Sequence, residues 1–113
     1  MKIIWEIMTL DELNKMAEER FGNMVKAVVD IEKEIMAVDA ELHADEEAEL
    51  LENGSKQENL WGINIYPEMP KGEWIEFDSM INLRPSQGNR TRGVDKLEIR
   101  QKIVEIVNKL VKK

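Results

Sequence analysis

The last seventeen or so residues carry the pattern that most limits what this chain can fold into. Ile99, Ile103, Ile106 and Leu110 recur at i, i+4, i+7 and i+11, which places them on one face of an α-helix. The spacing predicts a helix over 96–111. Asp95 and Glu98 fit the capping pattern at its start, and Lys109, Lys112 and Lys113 suit its negative end. A helix with one apolar stripe needs a second surface to bury it, so the rest of the chain must supply a layer.

A second helix of the same kind is predicted over 10–21. Thr9 and Glu12 have capping-box spacing. Leu10, Leu13, Met16 and Ala17 form its stripe, Phe21 extends it, and Gly22 can take the positive φ that ends a helix. Between and before the two helices the period changes to two. Residues 2–7 (KIIWEI) read as a strand with Ile3, Trp5 and Ile7 on one side. Residues 24–40 fit two patterns. Met24, Val28, Ile31, Ile35 and Val38 make a helical stripe, but the β-branched Val28, Val29 and Ile31 favour a hairpin turning at Glu32–Glu34. Residues 60–66 and 74–83 read as a further antiparallel pair joined through Pro67, Pro70 and Gly72. Residues 44–53 read as a short acidic helix ended by Gly54. The expected architecture is a single two-layer α+β domain over 1–113. Four to five mainly antiparallel strands are covered by the N-terminal and C-terminal amphipathic helices.

Composition narrows the function classes. No apolar run reaches the roughly 18–20 residues of a membrane helix, and residues 1–13 lack the pattern of a secretory signal. The expected location is cytoplasmic, with no membrane partner. There is no cysteine, hence no disulfide, thiolate metal site or cysteine nucleophile. With one histidine as well, no structural metal and no cofactor are expected. The net charge is −7 but is segregated: residues 1–83 hold 20 acids and 7 bases, and residues 84–113 hold 3 acids and 9 bases. Such a chain repels nucleic acid at long range, yet its basic end can receive a small anionic or phosphate-bearing ligand, the acidic part of its own chain, or a second copy.

Three segments are candidates for chemistry. The first is ELHADEE at 41–47. His43 stands beside a helix start with Asp45 and Glu47 following, which suits general acid–base work or a hard cation, though acids there also simply cap a helix. The second is the loop from Arg84 to Gly93. Arg84, Arg90 and Arg92 are forked anion donors, Gln87 and Asn89 add neutral ones, and the segment has no period. The third is the polar face of the late strands, where Asn64, Asp78, Ser79 and Asn82 interrupt apolar runs. The leading expectation is a binding or regulatory module whose arginine loop receives an anion. The rivals are a small hydrolase or transferase using His43, neighbouring carboxylates and loop arginines, and a homo-oligomeric structural protein.

Three blocks, ELHADEE at 41–47, LWGINIYP at 60–67 and FDSMINLRPSQGNRTRGV at 77–94, resemble a family of short bacterial proteins known only as a domain of unknown function. The resemblance runs over roughly 9–111. It implies a stand-alone cytoplasmic bacterial domain and carries no activity and no catalytic residue.

Overall fold

A computed structural model describes residues 1–112. The hairpin reading of 24–40 holds: β3 (Val25–Asp30) and β4 (Ile35–Val38) pair antiparallel, with Ala27 opposite Val38 and Asp30 opposite Ile35. Asp30 builds the turn. Its Oδ1 accepts from the amides of Glu32 and Lys33, and its Oδ2 accepts from the Ser55 hydroxyl at 2.6 Å. With β1 (Lys2–Ile4), β5 (Leu60–Ile65) and β6 (Ile75–Glu76) the hairpin forms a five-stranded antiparallel sheet of order β1-β4-β3-β5-β6.

Alternation along these strands sorts the core. Val25, Ala27, Val29, Trp61, Ile63 and Ile65 face one side. There they bury Leu13 and Ala17 of α1 (Leu10–Arg20) and Ile103, Ile106, Val107 and Leu110 of α3 (Leu97–Leu110). Thr9 caps α1 as its spacing predicts, accepting from the Glu12 amide at 3.1 Å. The opposite face is smaller. Val28, Ile35, Ala37 and Leu60 pack there against Leu50 of α2 (His43–Glu52). The α+β reading with two covering helices is thus the observed one, and the acidic helix adds cover on the second face.

Several boundaries differ from expectation. The strand read over 2–7 ends at Ile4, and the chain bends at Trp5 and Glu6 before a two-residue strand, β2 (Met8–Thr9). Trp5 and Ile7 are exposed and Ile4 is buried, the reverse of simple alternation. The cause is β7 (Val111–Lys112), which leaves α3 to pair in parallel with β2. Residue 111 is therefore strand and not the last turn of a helix, and Lys113, expected at that helix's negative end, lies outside the described residues. Phe21 is exposed at the end of α1 and does not extend its stripe. Asp95 does not cap α3, whose N-cap is Lys96 with no side-chain bond.

The strand read over 74–83 is the largest difference. Only Ile75 and Glu76 pair with β5, after which Ser79 caps a single 3-10 turn at Met80–Asn82. The chain crosses β5 closely there: a Cβ on Gly62 would stand 2.6 Å from the Ser79 Cβ. A glycine at position 62 is what permits the crossing.

Candidate functional site

The arginine loop, expected to be irregular and open, is folded on itself. Arg84 and Asn89 bridge through their backbones, a 3-10 turn spans Pro85–Gln87, and Gly88 closes it at φ +84°. Asn89 sits inside as a plug. Its Nδ2 donates to the carbonyls of Asn82 (2.8 Å), Gly93 (2.8 Å) and Thr91 (3.1 Å), and its Oδ1 accepts from the Asp95 amide at 2.8 Å. Asp95 in turn accepts from the Thr91 hydroxyl and the Arg90 amide, which hold its carboxyl below the usual carboxylate range.

Asn82 is fully buried and seals the edge of β5 beyond the short β6. Its Oδ1 accepts from the Gly62 amide at 2.8 Å, and its Nδ2 donates to the carbonyls of Gly62 and Arg92, each at 2.9 Å. A side-chain amide thus supplies the pairing a neighbouring strand would give. Arg84 does similar work. Its guanidinium lies 4.2 Å from the centroid of the Trp61 ring and donates to the carbonyls of Leu60 (2.8 Å) and Gln57. Gln87 donates to the Glu58 carbonyl at 2.8 Å. Burial pushes the Arg84 guanidinium down, opposed by the nearby Glu47 carboxylate. Arg84, Gln87, Asn82 and Asn89 are therefore engaged within the chain, and Arg90 projects an exposed side chain.

The remaining candidates come together elsewhere. His43 at the start of α2, Asn64 on β5 and Arg92 from the loop line one cavity of about 230 Å³, with Lys26, Asp78 and Ser79. Leu42, Ala44, Met80 and Ile81 complete its wall. Arg92 pairs with Asp78 at 2.8 Å in an exposed ion pair, whereas Lys26 makes no ion pair among the described residues. The buried His43 ring has its Nε2 2.7 Å from the Ile63 carbonyl. A carbonyl only accepts, so Nε2 carries the proton and the neutral ring keeps its lone pair on Nδ1. Burial holds the His43 pKa below its usual value, against the opposing pull of the Ile63 carbonyl and the Asn64 amide.

Asn64 is 7% exposed. Its Nδ2 donates to Glu76 Oε1 at 2.8 Å and to the Asp78 carbonyl at 3.3 Å. Its Oδ1 has no partner among the described residues. The amide cannot be reversed without setting its oxygen against two acceptors, so the orientation follows from chemistry.

Asp45 and Glu47 are not brought to this cavity. Asp45 lines a separate depression with Arg20, Asp39 and Glu41, and Glu47 lies toward Arg84. His43 is thus oriented by a backbone carbonyl. Asp78 and Ser79 of the late-strand polar face are brought to this cavity, whereas Lys26 was missed because it reads as an ordinary polar position of a strand. Glu46 was missed too. It is fully buried, its Oε2 accepts from the Ala40 amide at 3.1 Å, its Oε1 is unpaired among the described residues, and burial raises its pKa to about 9. Its place in an acid-rich helix turn made it look like surface charge.

Among the described residues, no three His, Asp or Glu side chains gather closely enough to hold a metal ion, and no helix is long and apolar enough to cross a membrane. The chain matches no curated protein and no solved structure. A family model does match it, over residues 2–110, and on that match the chain belongs to the family described as "Protein of unknown function (DUF5674)".

Proposed function

We propose that this protein is a small binding module that takes a compact anion in the cavity between α2, β5 and the arginine loop. The observation that carries this reading is the gathering there of two cations, Lys26 and Arg92, from a chain of net charge −7. Lys26 is without an ion-pair partner among the described residues. Arg92 is held only by an exposed ion pair, the kind worth ~0–1 kcal/mol, so an incoming anion displaces Asp78 at little cost. The anion-receiving part of the loop is then Arg92, while Arg84, Gln87 and Asn89 keep the loop folded. Acid–base catalysis by His43 has less support, because neither Asp45 nor Glu47 stands with it.

The test is a pair of titrations, one with lactate and one with glycerol 3-phosphate, followed by amide and imidazole NMR shifts. The expected shifts centre on Lys26, His43, Asn64 and Arg92, and Lys26→Met with Arg92→Gln removes them without loss of fold. Shifts centred on Arg90, or none from either ligand at millimolar concentration, would overturn the reading.

A further inference from the structure

We infer that the anion this cavity takes is a small carboxylate that also carries an O–H donor, the chemistry of a short hydroxycarboxylic acid. The inference rests on the anion-binding reading and adds the ligand's class.

Charge selects the carboxylate. Lys26 and Arg92 against Asp78 leave one net positive charge on the lining, with His43 neutral. That balance suits a monoanion, whereas a phosphate dianion would leave a negative charge uncompensated near Asp78. Hydrogen bonding selects the donor. Buried acceptors in folded proteins are nearly always satisfied, yet the Asn64 oxygen is unpaired and its amide is fixed by Glu76 and the Asp78 carbonyl. His43 has spent its one N–H on Ile63, so the neutral ring has no proton to give Asn64. Those side chains lining one cavity therefore lack a donor that the chain itself does not supply. Leu42, Ala44, Met80 and Ile81 give the remaining wall an apolar character that fits a short carbon skeleton.

A matched series on the intact protein at neutral pH tests this. Calorimetric titrations use acetate and propionate (anion only), glycolate and lactate (anion plus donor), and glycerol 3-phosphate. Lactate is expected to bind at least tenfold more tightly than propionate, the factor that ~1.4 kcal/mol of added hydrogen bonding gives. Asn64→Ala is expected to remove that preference while leaving propionate affinity within about twofold. If Asn64→Ala fails to fold, the series on the unaltered protein still decides. Equal binding of propionate and lactate, or tighter binding of glycerol 3-phosphate than of lactate, overturns the inference and leaves the anion reading standing. No binding by any member overturns both.

Discussion

Asn82 and Asn89, which hold the arginine loop in place, and Asn64, which lines the cavity beside it, make an instructive contrast. All three are buried asparagines. In the arginine loop, Asn82 and Asn89 use both ends of their amides on backbone groups. In the cavity, Asn64 uses only its nitrogen. The first arrangement is what a fold needs to cover a strand edge and a non-repetitive loop. The second leaves hydrogen-bonding capacity unspent, which costs stability and is reasonable where a ligand completes the set. A polar residue in an apolar run is thus not one signal but two, and the partners of its second atom tell them apart.

The largest effect expected from this contrast is at Asn82. Asn82→Ala would leave the Gly62 amide and carbonyl and the Arg92 carbonyl without their partner, a loss of ~3 kcal/mol or more by chemical denaturation. A loss under ~1 kcal/mol would break the distinction between sealed and open regions.

Glu46 comes next, and its effect depends on pH. Its folded pKa of about 9 lies above the usual carboxylate value of 4.5, so between those values the folded state holds a proton that the unfolded state has released. Stability from this group is full below about pH 4.5 and is lost as pH rises toward 9. Glu46→Gln keeps an acceptor for the Ala40 amide and removes the titration. It is expected to be more stable than the parent by ~2 kcal/mol at pH 8, with the gap closing near pH 4.5. Parallel stability–pH curves for the two proteins would refute this.

Arg84→Ala should cost ~1–2 kcal/mol, from the lost stack on Trp61 and the two carbonyls it serves, measurable by thermal melt. Asn64→Ala should cost ~1 kcal/mol or less, because the bonds it loses are offset by removal of an unpaired oxygen. Arg90→Ala sharpens the contrast from the other end: with its side chain in solvent, it should stay within ~0.5 kcal/mol of the parent.

The long periodic elements were legible in the sequence. The stripes of α1 and α3 and the turn of the β3–β4 hairpin each follow from spacing within one segment. The miss at 74–83 has a different origin. Ile75, Phe77, Ile81 and Leu83 fall on alternate positions well enough for a strand, and the sequence holds no local mark of the Ser79–Gly62 crossing, a contact between segments seventeen positions apart. Asn82 stands out as a polar residue in an apolar run and Asn89 as a neutral donor of the arginine loop, but their partners are backbone groups, which have no residue identity to read. The cavity was legible only in pieces: His43, Asn64 and Arg92 were each flagged for separate reasons, and the topology alone shows them sharing a wall. Lys26 carried no mark at all, since a lysine in a short strand is ordinary surface chemistry until something sits opposite.

The β2–β7 pair has a kinetic consequence. Met8 and Thr9 meet Val111 and Lys112 in parallel, so four residues close a loop of about 100 residues, whose entropic cost grows with the logarithm of its length. Such a contact rewards the chain only after the intervening sheet and helices are in place, and pairings of this sequence separation slow folding. The N-terminal bend at Trp5 and Glu6 is therefore expected to be set among the last events of folding and to open among the first in native-state hydrogen exchange. The amides of Met8, Thr9, Val111 and Lys112 should then exchange together, ahead of those of β3 and β5.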